Sequence, residues 1–453
     1  MKISGIFLCV VLAASLSGCV QVASVRPLYT EDEAEMSLRE PRLEGDWVMA
    51  NLNTADEHGD TPQSNIRVRI GSAGANRPYY AEFRWRENPG DEKETVFEYE
   101  VQFVPTGDSL FFDAVLSEHE ENGKKWSQEE ISKIAGITGH QLGQVWIGPQ
   151  FVRFASLNPD WVSEHWPKAE LFDNLVNHER SLTLTNQTTE LRELLLKNAH
   201  DEVAFAPSLY LCRKGADCTA LAVEDQLGRR PDGDDALFQG VHFYAKRGNY
   251  VKAIALQRRR IEMSKPSNGA SRDLEQYELA KLLLLSREFG AAREVLKKVK
   301  TQPMAADPSP GELIVRSYFL QGAYPAVVQA ANSVQSPNAM TAADSILLAY
   351  FALGRMGKSN EAEAFLRERT SAFQGILQEQ VFLLKAAGRL TGDGGNLDAE
   401  RDAYYSALKA MQTGNTRNAV TILQSQVARS TKDDLLTFAD LIELERLSTV
   451  PVK

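Results

Sequence analysis

Hydrophobic and polar residues alternate along several short stretches in the first part of the chain. In 66–70 three apolar residues alternate with two arginines, and the same period of two recurs in 79–85 and 97–103. Such alternation is typical of antiparallel strands that place one face on a core and the other in water. Further strands are predicted at 46–52, 109–116, 142–147 and 151–157. About seven strands in all predict an antiparallel β barrel or closed sandwich.

Short helices are predicted among and after these strands. A polar insertion carries Ser127 and Glu130 in the spacing of a capping box, which predicts a helix over 128–135. Pro159, directly after an asparagine, marks a second helix start. A third, amphipathic helix begins near Thr188. We expect these helices to close one end of the β domain.

From about residue 234 the apolar period becomes helical and a repeated marker appears. The marker is a glycine, an aromatic residue two positions later and a small residue three positions after that. Copies begin at Gly248, Arg287, Gly322, Gly357 and Gly414. Arginine replaces glycine in the second, and Ser359 and Thr416 replace the aromatic residue in the last two. Glycine allows a tight turn between paired helices, and the small residue allows the helices to approach closely. The longer interval before the last copy leaves room for a helix at 377–388.

This marker resembles that of the tetratricopeptide repeat, whose period is about 34 residues. The resemblance implies an α solenoid of helical hairpins, whose concave face binds peptides or protein segments. A helical bundle without repeats is the alternative. Under the solenoid hypothesis, candidate partner contacts lie on the first helices of three hairpins, at Tyr244, Tyr277 and Tyr318.

The first residues have the pattern of an export signal. A basic start at Lys2, an apolar stretch over 3–14 and small residues before a cleavage point are typical of a removable signal. The apolar stretch is shorter than the roughly 20 residues that a membrane helix needs. The sequence Leu16-Ser17-Gly18-Cys19 resembles the lipobox of bacterial lipoproteins. A plain secretory signal with an incidental cysteine is the alternative.

The lipobox resemblance implies that residues 1–18 are removed and that Cys19 carries lipid. Val20 occupies the position where aspartate retains many Gram-negative lipoproteins at the inner membrane. We therefore expect an outer-membrane protein that faces the periplasm, with the inner membrane as the alternative. No other stretch of the sequence approaches membrane-spanning length, so the lipid is the expected anchor.

These patterns divide the chain into successive parts. They are a signal peptide over 1–18, a tether over 19–42, an antiparallel β domain with closing helices over 43–200, a linker over 201–233 and a helical-repeat domain over 234–453.

The predicted linker contains two cysteines, Cys212 and Cys218. A close pair of cysteines in an oxidising compartment predicts a local disulfide. The alternatives are a redox site, which favours two cysteines separated by two residues, and a zinc site, which needs further ligands nearby.

Charge and motifs argue against several functions. The net charge of −11 disfavours binding to nucleic acid and to anionic lipid, because both need a basic surface. The segment that begins at His119 lacks the second histidine of a helical zinc-protease motif. Neither a nucleophile elbow nor a phosphate-binding loop occurs, and the seven histidines are scattered. We expect no enzymatic activity, no cofactor and no metal.

Two functions stay open. The first is a lipid-anchored envelope scaffold that binds a protein or peptide partner through its helical repeats. The second arises because Gly45-Asp46-Trp47 resembles the first motif of lipocalins, whose small barrels hold apolar ligands. That resemblance implies a carrier of lipid or of another apolar molecule, although a tryptophan on an inward strand face is more often a core residue. A carrier needs a partly unfilled barrel, whereas a scaffold needs a packed barrel and an open groove.

Overall fold

The computed structural model describes residues 20–34, 40–50, 66–72, 79–86, 94–121, 123–127, 139–166, 169–173, 180–264, 269–300, 308–334, 339–372, 386, 399–429 and 435–449. Among these, the residues up to Arg230 form one compact unit and those from Pro231 form a second. We call them the β unit and the helical unit.

The β unit contains twelve strands in its described part, which are β1 (Val20–Ser24), β2 (Gly45–Met49), β3 (Ile66–Ser72), β4 (Tyr79–Trp85), β5 (Thr95–Thr106), β6 (Ser109–Glu121), β7 (Lys124–Lys125), β8 (Gln141–Ile147), β9 (Phe151–Leu157), β10 (Ala169–Asp173), β11 (Arg180–Leu184) and β12 (Phe205–Arg213). Its helices are α1 (Glu31–Ala34), α2 (Pro159–His165), α3 (Thr188–Lys197) and α4 (Cys218–Arg229).

Eight of these strands close into an antiparallel barrel. Hydrogen-bonded neighbours follow the order β5-β4-β3-β2-β12-β9-β8-β6, and β6 pairs with β5 again. All eight pairings are antiparallel. The predicted fold class, an antiparallel barrel followed by a helical region, is confirmed.

The strand β12 lies where the sequence predicted a linker over 201–233. It pairs with β2 on one side and with β9 on the other, so the linker prediction is wrong. Leu209 and Leu211 of this strand join the barrel interior, while Tyr210 and Cys212 are buried on its opposite face with residues of α4. Because both faces are apolar and buried, β12 lacks the alternation that reveals a strand with one wet face.

The predicted tether over 19–42 is also wrong for the residues of β1. This strand pairs in parallel with β11, which pairs with β10, and the three strands form a small second sheet. The backbones of Ser24 and His140 exchange two hydrogen bonds of 2.8 Å. The amide of Leu28 donates to the Asp113 carboxylate at 2.7 Å. These contacts hold the segment against the barrel.

The barrel interior is filled by side chains from all eight strands. They form one buried cluster that includes Trp47, Ile66, Val68, Ile70, Tyr79, Ala81, Phe83, Phe97, Tyr99, Val101, Phe103, Phe112, Ala114, Val145, Val152 and Leu211. Aromatic rings meet edge to face, as at Tyr79 and Phe103, whose centroids are 5.1 Å apart. The indole of Trp47 donates to the Leu43 carbonyl at 2.8 Å. Trp47 is therefore a core residue of a packed barrel.

A second core joins the outer wall of the barrel to α2, α3 and the small sheet. Outward residues such as Phe111 and Phe205 pack there with Trp161 of α2 and Leu191 of α3. The predicted starts of these two helices are confirmed, and the Asn158 side chain caps α2. Both helices cover the wall because its outward residues are apolar. The helix predicted over 128–135 falls outside the described residues.

The helical unit consists of α5 (Asp234–Lys246), α6 (Tyr250–Met263), α7 (Gly269–Leu285), α8 (Phe289–Leu296), α9 (Pro310–Gln321), α10 (Tyr324–Ser333), α11 (Ala339–Arg355), α12 (Ser359–Ala372), α13 (Ala399–Gln412), α14 (Thr416–Val427) and α15 (Leu435–Thr449) in its described part. Of the helix predicted at 377–388, only residue 386 is described. No helix in the described residues of the chain is long and apolar enough to cross a membrane.

The repeated marker coincides with the turns between paired helices. Its first residue has a positive φ in every copy, at Gly248, Arg287, Gly322, Gly357 and Gly414. Its small residue is at most 1% exposed in every copy, at Ala253, Ala292, Val327, Ala362 and Ala419. The predicted turns and close helix contacts are thus confirmed.

Removing the disulfide between Cys212 and Cys218 should destabilise the β unit. The bond closes a loop of a few residues between β12 and α4, and loop-closure entropy for so short a loop is worth about 2 kcal/mol. We expect the double variant Cys212→Ala, Cys218→Ala to lose about that much stability. All six tryptophans lie before residue 167, so urea denaturation followed by fluorescence reports this unit. An unchanged midpoint would contradict the prediction.

The environment of His119 predicts a pH-dependent stability. Its ring stacks on Phe97 with centroids 4.4 Å apart and meets Trp126 edge-on at 4.6 Å. Burial lowers the pKa of His119, although Glu121 opposes this shift. Below about pH 6.5 the unfolded chain therefore binds more protons than the folded one, and stability falls as the pH falls.

We expect His119→Phe to reduce the loss of stability between pH 8 and pH 5, measured by urea denaturation with tryptophan fluorescence. His200, an exposed residue of the same unit, supplies the matched control His200→Gln. If the two variants showed the same pH dependence as the original chain, His119 would not be the responsible group.

Candidate protein-interaction site

The predicted partner-binding tyrosines belong mainly to the core of the helical unit. Tyr277 is 1% exposed, and its hydroxyl donates to the Pro308 carbonyl at 2.8 Å. Tyr244 is 6% exposed. Tyr318 is half-buried under Arg293, whose guanidinium carbon lies 4.2 Å from the ring centroid. The first two residues therefore pack the helices together and do not line an open surface.

The other predicted site residues divide into two groups. Cys19, the predicted lipid attachment residue, lies outside the described residues. Cys212 and Cys218 form the predicted local disulfide, with their Cα atoms 5.5 Å apart. In the described part of the chain, no group of three or more potential ligands could hold a metal ion.

One cluster in the β unit has the residue types of a catalytic triad. The His140 Nδ1 atom lies 2.7 Å from the Asp113 carboxylate, and Ser24 is paired with His140 through the backbone. The Ser24 side chain is fully buried, however, and its hydroxyl donates to the Arg26 carbonyl at 2.8 Å. Since that proton is committed to a carbonyl, the cluster serves to hold the first strand on the barrel.

The last helix, α15, lies among the other helices of the helical unit. It contacts α7, α13 and α14, and polar contacts reach α9 and α11. Eight of its first nine residues are buried, and Leu441 is the exception at 38% exposed. A helix that is buried on nearly all sides is enclosed by its neighbours. We call the surface that encloses it the α15 groove, which includes Arg287, Phe319, Leu320, Arg355 and Tyr404.

A buried carboxylate joins α15 to this groove. Glu443 is fully buried and accepts hydrogen bonds from Arg355 of α11 at 2.6 Å and from Arg446 at 2.5 Å. Arg446 also donates to the Phe319 carbonyl at 3.1 Å, at the C-terminal end of α9. That end of a helix carries partial negative charge, which favours an arginine there.

The charge of Arg355 is stabilised in this position. Burial alone would lower the pKa of Arg355, but the attraction and hydrogen bond of Glu443 more than offset it and raise the pKa. Tyr324 adds a hydrogen bond, since Arg355 donates to its hydroxyl at 2.7 Å. Arg355 and Glu443 therefore both stay charged, as a buried ion pair requires.

A second buried carboxylate, Asp344 of α11, connects the surrounding helices. It accepts from Arg401 at 2.5 Å and from the Tyr405 hydroxyl at 2.8 Å, both on α13. Arg316 of α9 lies 3.4 Å away. Tyr404 is buried near Glu443. Burial, and then the negative charge of Glu443, raise the pKa of Tyr404. The walls of the α15 groove are thus held together by charge as well as by apolar packing.

Arg287 explains one departure from the repeat pattern. It stands where the other copies of the marker have glycine, with a φ of 66°, and it is the only non-glycine residue at positive φ among those described. This conformation costs a non-glycine residue about 1–2 kcal/mol. Its guanidinium donates to Glu445 of α15 at 2.6 Å. A contact with α15 thus accompanies the loss of glycine.

The sequence reasoning missed the residues of this groove. Arg355, Glu443 and Arg446 carry no motif, because the contacts that join α15 to α9 and α11 link residues distant in the chain. Two signals were present nevertheless. The arginine at position 287 interrupts a glycine pattern, and the stretch 435–444 is apolar on nearly every side of a helix, which indicates burial.

Neutralising Glu443 should destabilise the helical unit far more than neutralising Glu445. Glu443→Gln leaves Arg355 without its buried counter-charge, which we expect to cost about 3 kcal/mol. Glu445→Gln is the matched control, because Glu445 is 56% exposed and exposed ion pairs contribute up to about 1 kcal/mol. Urea denaturation followed by circular dichroism at the helical band, with tryptophan fluorescence reporting the β unit, measures both. Equal losses would contradict the assigned role of Glu443.

Comparison of the chain with protein-family models, with curated proteins and with solved structures finds no match. The chemistry of the α15 groove is therefore the guide to what the helical unit binds.

Proposed function

We propose that this protein is a lipid-anchored cell-envelope protein that acts as a protein–protein interaction scaffold. An acyl group on Cys19 holds it at the periplasmic face of the outer membrane. The helical unit, built from tetratricopeptide-like hairpins, binds a protein or peptide segment. The β unit supports it and carries no ligand.

The observation that carries this proposal is the way in which the helical unit encloses α15. The helical unit encloses a helix of 15 residues through apolar contacts and through two acidic side chains that meet Arg355 and Arg287. Grooves that hold a helix of another chain are a recurring mode of protein recognition. The α15 groove, which already holds one helix, has the shape and charge to bind a helical segment of another protein.

The packed interior of the β unit is the state that a scaffold needs. The interior positions of the barrel are occupied by large apolar side chains, among them Tyr79, Phe83 and Phe103. Small barrels that hold a ligand need interior space that side chains leave open. The Gly45-Asp46-Trp47 motif contributes a core tryptophan here, so the carrier hypothesis gains no support from it.

Site-specific photo-cross-linking in the native envelope tests the proposal. A photoreactive residue is introduced at exposed apolar positions of the helical unit, namely Phe238, Leu274 and Leu441. Matched controls are exposed positions of the β unit, namely Val25, Leu196 and Val203. We expect the helical positions to yield one reproducible protein adduct, identified by mass spectrometry, and the β positions to yield none. We also expect Cys19→Ala to release the protein from the membrane fraction.

Two results would contradict the scaffold. One is the absence of any reproducible protein adduct at the helical positions. The other is an apolar molecule that co-purifies with the Cys19→Ala form in equimolar amount and is seen by native mass spectrometry, which is the result that a carrier predicts.

A further inference from the structure

We propose that α15 is a displaceable internal ligand and that the partner presents a largely apolar helix with acidic side chains to the same groove. This inference rests on the proposed function and names the chemical class of its partner. Binding of the partner helix then requires α15 to leave the α15 groove.

The contact between α15 and its groove has the polarity of a recognition surface. Glu443 is fully buried and paired with Arg355 of α11, and Glu445 meets Arg287 at the end of α7. Asp440 of the same helix is only 3% exposed. Burying charges in a permanent core adds little stability compared with apolar residues of similar size. Buried ion pairs do specify register and partner, which is the property that a binding groove needs.

The charge of the groove opposes that of the chain. The protein has a net charge of −11, yet Arg287 and Arg355 of the groove both donate to carboxylates of α15. A local basic surface on an acidic protein selects an acidic segment. The carboxylates of α15 meet this requirement, and a partner helix must meet it too.

The pattern of α15 defines the segment that fits. Its buried apolar residues are Leu435, Leu436, Phe438, Ala439 and Ile442, which cover most sides of the helix. Glu443 follows the last of them and Glu445 lies near the rim, at 56% exposed. The expected partner helix has three apolar anchors at the first, fourth and eighth positions and a carboxylate at the ninth. Such anchors are typical of helices that bind in grooves.

The alternative is that α15 is a permanent core helix, which closes the helical unit and never leaves. The two alternatives differ in the free energy needed to open α15 alone. A displaceable helix opens locally while the rest of the unit stays folded, whereas a permanent one opens only with global unfolding.

Hydrogen exchange on the full-length Cys19→Ala protein measures this opening without disturbing the groove. We expect amides of α15 to exchange at least about tenfold faster than those of α9 and α11 through a local opening. Equal exchange rates in the three helices would overturn the inference.

A binding assay tests the class of partner. The probe is a fluorescein-labelled synthetic peptide with the sequence of residues 435–449, added to the same protein and followed by fluorescence anisotropy. The matched control peptide carries Glu443→Gln and Glu445→Gln. We expect the acidic peptide to bind at least about tenfold more tightly than the control, a difference of about 1.4 kcal/mol. Equal binding of both peptides, or binding of neither, would overturn the inference.

The cross-linking experiment separates this inference from the proposed function. It detects capture at exposed positions of the helical unit whether or not α15 is released. A reproducible adduct together with slow exchange of α15 would leave the scaffold standing and remove the displaceable ligand. The absence of adducts would count against the scaffold itself.

Discussion

The position of α15 depends on the pairing of one buried carboxylate. Glu443 has no contact with solvent, and an unpaired charge in such a place costs several kcal/mol. While α15 lies in its groove, Arg355 of α11 must therefore reach Glu443, as Arg446 of α15 itself does. Arg446 in turn donates to carbonyls at the end of α9. A single polar requirement thus fixes where α15 lies against α9 and α11.

In the β unit the equivalent constraint is closure. Without β12, strands β2 and β9 would each expose a row of unpaired backbone groups, and such edges promote association with other chains. The disulfide between Cys212 and Cys218 joins the end of this strand to the start of α4. Arg153 and Arg229 add to the connection, since both bind Glu202, at 2.8 Å and 2.6 Å. The strand that completes the barrel is also the one most firmly tied to its surroundings.

The sequence predicted correctly those elements that have one face exposed to solvent. The strands β3 to β5 alternate because their outward residues meet solvent, and the glycine markers stand at turns that need a left-handed residue. It failed where both faces are covered. The strand β12 and the helix α15 are buried on nearly all sides, so no period distinguishes an inner face. Two of the three tyrosines proposed for a groove, Tyr244 and Tyr277, are core residues, because the repeated positions of a helical hairpin mainly serve packing. The pairs that form the groove join residues remote in sequence, and no local pattern can reveal them.

The position of β1 has a consequence for the lipid anchor that we propose. The strand begins at Val20, and one peptide unit spans only about 3.8 Å between Cα atoms. If Cys19 is acylated as proposed, the lipid is joined to the folded β unit without slack. The β unit would then lie against the lipid headgroups in a restricted set of orientations and could not diffuse on a flexible tether. Inserting a flexible spacer after Cys19 would abolish that restriction.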